Sequence, residues 1–252
     1  MDVEINGARI LYTIHTGTFL GDIPISETLV ISWVVMLLLT ALCIWLGHDL
    51  KVNNISKRQA LAEFAVEALN KFVRGNMGEK FDFYIPLIGA LISTAAVSNL
   101  ISLTGVWSPT ADLSTEAAWA IVIFVLITFH KIKASGIGGY LKGFLEPIFV
   151  LAPVNIIGEL ATPVSMACRH FGNILSGMVI STLIYTALAG ASSALFGLIP
   201  GALGNILSGI PFLDVGIPAV AGLYFDWFSG CVQAFIFCTL ATIFIKNAAG
   251  ED

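Results

Sequence analysis

The chain has 252 residues, 57% of them hydrophobic and only 12% charged, with a mean hydropathy of +0.89 and a formal net charge of -5. Soluble domains carry roughly a quarter charged residues, so this composition describes a protein that crosses a membrane several times. The excess of acidic over basic residues argues against nucleic-acid binding. Four cysteines without a C-x-x-C pair give neither a zinc site nor a disulfide framework.

Residues 1–26 lack the basic start of a signal peptide and the Arg- and Ser-rich composition of a transit peptide, which favours a bacterial or organelle-encoded chain inserted directly. About 20 apolar residues cross a bilayer, and residues 27–47 are the first such run. Residues 56–78, SKRQALAEFAVEALNKFVRGNMG, alternate charge and apolar groups as an amphipathic surface helix does, with a partner-binding helix as the competing reading. Residues 84–106 and 115–130 are the second and third spans, and residues 218–245 the last.

Residues 146–188 are apolar nearly throughout. A straight helix of that length reaches about 65 Å, roughly twice the hydrocarbon thickness. Lys and Arg fill the loops after the first and third spans, whereas the loops near Pro109 and Leu198 have none. The positive-inside rule then sets the N-terminus outside and the C-terminus in the cytoplasm. The long segment must cross an odd number of times and is too short for three, so it crosses once. The excess length goes into steep tilt or a re-entrant turn, with breaks at Pro147, Pro153 and Pro163. The expected architecture is all-α, one membrane-embedded domain over 1–252 with about five crossings, the long tilted helix packing against the last.

The hexamer GNILSG occurs at Gly172–Gly177 and again at Gly204–Gly209. The residues flanking the two copies do not match, as repeated halves would require. What sets the first copy apart is Arg169, three residues before it. A guanidinium stays protonated, and at the bilayer centre it costs at least ~2.5–3.5 kcal/mol. A partner or an aqueous cavity must therefore offset it. Glu159 is ten residues back and about 80° round the helix, a poor intrahelical partner. Ser165, Gly172, Asn173, Ser176 and Ile180 share the face of Arg169, and their small side chains let another helix approach closely. A cation in a groove of small residues suggests a carboxylate partner on a different chain. In the last span Asp226 and Gln233 are seven apart and share a face, either as pathway groups or as polar residues satisfied locally.

TPVSMACRHFGNILSGM resembles the arginine-bearing helix of the F-type ATP synthase subunit a, and VQAFIFCTLATIFI resembles that family's last helix. SPTADLSTEAAWA and KIKASGIGGYLKGFLEPI are similar to its Pro-Thr-x-Asp loop and Gly-Ile-Gly-Gly segment, and the matches run in order from about residue 98. The resemblance implies a proton-translocating stator beside a rotating ring of carboxylate-bearing proteolipids (the c-ring). Its further partners would be subunit b of the peripheral stalk, the rest of the F1F0 complex and the lipid bilayer in a bacterial plasma membrane. It implies no cofactor, no metal and no nucleotide bound by this chain. Arg169 matches the essential arginine, Asn173 the asparagine after it and Gln233 the glutamine of the last helix. Glu159 matches an acidic position of the inner half-channel, with a helix-start role as the alternative. Asp112 would draw ions into the outer one or cap a turn. Ser165, Gly172 and Ser176 would pack against the ring. Where relatives carry Glu or His, nine residues past the arginine, this chain has Met178, which cannot relay a proton; Asp226 is the titratable candidate instead. His170 points about 100° away from Arg169 and reads as a packing residue, with a relay as the alternative. A sodium-coupled version of the same subunit stays open. So does, from another class, a secondary transporter with a midplane site at Arg169. A membrane hydrolase lacks a G-x-S-x-G elbow.

Overall fold

The structure is a computed structural model that describes residues 8–15, 21–53, 55–102, 104, 106–197 and 223–250. The second GNILSG copy and the loop near Leu198 lie outside the described residues. The architecture is that of an all-α membrane protein with five helices long and apolar enough to span a bilayer. One element departs from pure helix. Two short antiparallel strands, β1 (Ile10–Ile14) and β2 (Ile23–Ser26), pair ahead of the first helix. The β-branched and aromatic residues of ILYTI are a strand signal, but so short a run does not stand out beside a long apolar segment.

Helix α1 (Glu27–Gly47) begins where the Ser26 hydroxyl accepts from the Leu29 amide, and only Thr28 and Val35 are buried along it. Its bare apolar surface is what a helix facing lipid presents. Helix α2 (Lys57–Met77) is capped in the same way by Ser56. Val73 and Met77, in its C-terminal half, belong to the buried core, while Leu61, Phe64 and Val66 nearer its start are exposed. A 3-10 turn over Glu79–Tyr84 follows, held by a two-bond ion pair from Arg74 to Asp82 (2.9 and 2.6 Å), and leads into α3 (Ile85–Ser102).

Helix α4 (Leu113–Gly143) extends well past the apolar run that marks it in the sequence. A helix does not end where the bilayer does, and the Lys-rich residues continue it beyond the apolar part. It changes direction at Gly136, whose φ of 71° is a conformation that favours glycine. Its N-cap is Asp112, whose carboxylate accepts from the Ser114 amide (3.0 Å), the Ser114 hydroxyl (2.7 Å) and the Thr28 hydroxyl of α1 (2.7 Å). Burial pushes this carboxyl upward, but the donors from Ser114 and Thr28 together hold it below the usual carboxylate range.

Helix α5 (Ala152–Gly197) is continuous for 46 residues. Pro163 lies inside it without ending it, and the break expected there is absent. A proline removes one backbone donor, and packing of α5 against its neighbours carries the helix through that loss. A re-entrant turn within 152–197 is thereby excluded. The last helix, α6 (Ser229–Ala248), follows a π-helical turn over Leu223–Phe228. It is the most buried of the spans, and Phe237, Cys238, Ala241 and Ile245 form the middle of the core with Ile88, Ile123, Met166 and Ala167 from the helices around it. Phe72 of α2 packs tilted against its Phe235 with ring centroids 5.0 Å apart, and Asn76 of α2 donates to its Thr242 (3.2 Å). Gly230 lets α3 come close, because a Cβ there would lie 2.9 Å from the buried Asn99 side chain.

Two outcomes follow from these contacts. Gly230→Val should destabilise the protein by about 1–3 kcal/mol, the cost of overpacking, read as a lowered melting temperature in detergent. Asp112→Asn should cost about 1 kcal/mol at pH 7, because an amide oxygen accepts more weakly than a carboxylate from Ser114 and Thr28. Because the folded carboxyl lies below its unfolded value near ~3.9, its stabilisation is present above that value and lost as pH falls through the folded one. The melting gap between wild type and Asp112→Asn should therefore close on acidification below about pH 4.

Candidate functional site between two cavities on the long helix

Arg169 is exposed, on a face of α5 that no other described helix covers. Ser165, Ser176 and Ile180 on that face are also exposed, and the Cβ of a side chain at Gly172 would meet open space. Among the described residues Arg169 has no ion pair and no hydrogen bond. It lines a shallow cavity of about 240 Å³ with Thr162, Ser165 and Leu240.

Two larger cavities flank it along the helix. One, of about 890 Å³, is lined by Lys131, Asn155, Glu159 and Asn247. The other, of about 320 Å³, is lined by Asn99, Ser102, Ser108, Met178, Ser181 and Thr182. At 1.5 Å per residue, Glu159 and Ser181 lie roughly 15 and 18 Å from the arginine in opposite directions along α5. Arg169 thus lies between two cavities along α5, each lined in part by polar side chains.

The first hollow holds an ion pair. Lys131 of α4 donates to both oxygens of Glu159 at 2.8 and 2.5 Å. Glu159 is therefore the counter-ion of Lys131, not of Arg169, and it lies in the second turn of a helix that begins at Ala152. Asn155 donates to the carbonyls of Phe144 and Glu146 (2.9 and 3.0 Å), which ties the turn before α5 to its first turns.

Near the arginine, Asn173 and Ser229 bond reciprocally: Asn173 Nδ2 donates to Ser229 Oγ (2.9 Å), and that hydroxyl donates to Asn173 Oδ1 (3.1 Å). The asparagine thus joins α5 to the first residue of α6. Gln233, one turn further along α6, is buried, and no hydrogen bond links it to Arg169. The Asp226 side chain lies outside the described residues. The π-helical turn containing it interrupts the 3.6-residue phase, so a seven-residue spacing to Gln233 does not by itself give a shared face. Asp112 engages both carboxylate oxygens in the cap of α4 and the tie to α1. Ser176 donates its hydroxyl back to the Gly172 carbonyl, which leaves a smooth, open helix face.

The structure adds two residues that the sequence did not single out. Lys131 appears in the sequence only as one of the basic residues after the third span. Glu116, in the first turn of α4, pairs with His170 of α5 at 2.7 Å, both side chains wholly buried. An acidic residue inside an apolar run is a visible signal, but no spacing rule connects positions 54 residues apart.

Comparison with known proteins identifies the family. A sequence model described as ATP synthase A chain matches residues 29–246. ATP synthase subunit a 2 of a Bradyrhizobium species is 33% identical over 233 residues, covering 92% of each chain. The sodium-ion-specific ATP synthase subunit a of Propionigenium modestum is 31% identical over 90% of this chain and 75% of its own. ATP synthase subunit a 2 of Acaryochloris marina is 31% identical over 92% of this chain and 89% of its own. An apolar five-helix chain with a bare cation on its longest helix, matched to that family over nearly its whole length, belongs to the ATP synthase A chain family, the membrane-integral, ion-translocating subunit a of the ATP synthase complex.

Proposed function

We propose that this subunit is the proton-translocating stator of its synthase, with Arg169 facing a ring of carboxylate-bearing proteolipids. The observation that carries the reading is the bare guanidinium between two separate polar cavities. A ring carboxylate arrives from lipid protonated, because burial disfavours its charged form. Beside Arg169 the charged form is favoured, and the proton leaves into one half-channel; after nearly a full turn the carboxylate is reloaded from the other. The fixed positive charge also prevents an ion from passing directly between the two. A potential of 100 mV supplies about 2.3 kcal/mol per elementary charge, so several protons are needed for each ATP formed.

The small, open face at Ser165, Gly172 and Ser176 supports close approach of ring helices. In this reading the cavity at Glu159 and Lys131 is the inner half-channel and the cavity at Met178 the outer one. That assignment follows the loop charges, which set the C-terminus in the cytoplasm of a bacterial plasma membrane. Helix α5 is about 69 Å long at 1.5 Å per residue and lies steeply inclined along the ring. Asn173 holds the α5–α6 contact beside the arginine, the buried amide of Gln233 belongs to the ion pathway, and Asp226 is a titratable group of its outer part. Asp112 serves as cap and tie. Subunit b and the rest of the complex would use surfaces away from α5. The likeness to the sodium-specific Propionigenium protein favours sodium as the second reading of the coupling ion.

ATP-driven pumping by the assembled complex in inverted vesicles tests this. Arg169→Ala should abolish coupled pumping while ATP hydrolysis persists; full pumping by that variant would sink the stator reading. Pumping detected as acidification, and unchanged when sodium is omitted, identifies the proton. Glu159→Gln should slow pumping several-fold, and the Glu159→Gln, Lys131→Gln pair should restore part of the rate, because the single change leaves a lysine charge uncompensated. Asp226→Asn at the wild-type rate would remove that residue from the pathway and nothing else.

A further inference from the structure

Among the described residues that line the cavity assigned to the outer half-channel there is no carboxylate, imidazole or ammonium group, and Tyr185 is the one ionisable side chain. Its α5 wall is formed by Ile174, Met178, Ser181 and Tyr185, among others. These lie 4, 8, 11 and 15 residues after His170 and share its helical face. His170 itself does not line the cavity but lies one turn before Ile174 on the same face, at the level of Arg169, whose own side chain points about 100° away.

His170 is wholly buried, as is Glu116, whose Oε2 accepts from Nδ1 at 2.7 Å. Trp119 and Phe237 flank the imidazole, at ring distances of 6.4 and 5.9 Å. The other atom of each group, His170 Nε2 and Glu116 Oε1, has no hydrogen-bond partner among the described residues. A tie made only for stability would be satisfied at both ends, since each open polar atom in a dry interior costs about 1–3 kcal/mol. Ser98 Oγ, Asn99 Nδ2 and Ser181 Oγ are likewise buried and unpartnered, and Asn99 and Ser181 line the cavity itself. Open polar atoms thus run from the cavity to the level of the arginine.

We propose that His170, with Glu116 as its fixed counter-ion, is the protonatable station at the inner end of this cavity. It passes protons between the half-channel and the ring carboxylate at Arg169. This rests on the reading of Arg169 given above. In the step, Nε2 gains a proton from the cavity and later releases the same proton toward the ring. Nδ1–H stays donated to Glu116, whose carboxylate stabilises the imidazolium. Only the Nε2–H bond forms and breaks, and the loaded pair is neutral overall. Few other charges surround it among the described residues. Helix α3 has no charged residue, α6 has Lys246 in its last turn together with the thiols Cys231 and Cys238, and α4 has no further charge until Lys131. On α5 itself the neighbours are Arg169 and the distant Glu159.

Glu116→Gln separates relay from tie, because the amide oxygen still accepts from Nδ1–H but no longer supports an imidazolium. In the complete synthase in inverted vesicles, Glu116→Gln should lower ATP-driven proton pumping by roughly 10²-fold, the lower range for loss of a proton-transfer group. Assembly, followed by co-purification of the other subunits, should be unchanged. Glu116→Asp should keep pumping with a shifted pH profile. Wild-type pumping and an unshifted pH profile in Glu116→Gln overturn the proposal and leave the stator reading standing. Coupled pumping by Arg169→Ala overturns both. Should the Gln variant fail to assemble, the Asp variant decides: a displaced pH profile supports the station, and a profile identical to wild type overturns it. Sodium-coupled pumping by the wild-type complex also overturns it.

Discussion

A guanidinium cannot give up its proton on entering a membrane, so the chain around Arg169 has to be arranged to keep the charge in reach of something polar. Lysine, histidine or a carboxylate in the same position can neutralise itself; arginine requires a partner or water. In this protein the described residues supply no partner. The half-buried carboxylate of Glu159 is bound to Lys131, and the buried Glu116 is bound to His170. Both pairings leave Arg169 free on the open face of α5, which suits a cation whose counter-charge comes from another chain.

The rest of the bundle follows from holding α5 in one rotational setting. Asn173 and Ser229 join it to α6 on one side, and Glu116 and His170 join it to α4 on another. Met166 and Ala167, just before the arginine, are packed into the same core as Phe237 and Ala241 of α6. Turning α5 by one residue would rotate it about 100°, bury the guanidinium and expose the imidazole. Each of these contacts is modest alone, but together they fix which side of a 46-residue helix meets the outside. The helix that passes through Pro163 without breaking illustrates the same point: tertiary packing overrides a local preference that the sequence states clearly.

The two cavities differ in chemistry as well as in place. One contains a lysine–carboxylate pair and amides; the other is lined by hydroxyls, an amide and Met178, with its nearest acid–base pair one turn deeper. Such asymmetry is expected where ions enter from one phase and leave to another, since the two ends meet different potentials and different charges at the membrane surface.

The class of protein was legible from residues alone. Apolar runs of spanning length, basic loops on one side and an arginine in the midst of small residues are local properties, carried by composition and helical spacing. So was the resemblance in RHFGN and QAFIF, which the family match extends over residues 29–246. Other features needed the folded chain. The end of α4 past its apolar run, the β1–β2 hairpin and the π-helical turn before α6 depend on packing and on backbone geometry that apolarity does not encode. Above all, the pairings of Glu159 with Lys131 and of Glu116 with His170 join residues 28 and 54 apart. Sequence spacing reports which side chains share one helix face, but only the crossing of two helices decides which charges meet, and among the described residues those crossings leave Arg169 without a counter-ion.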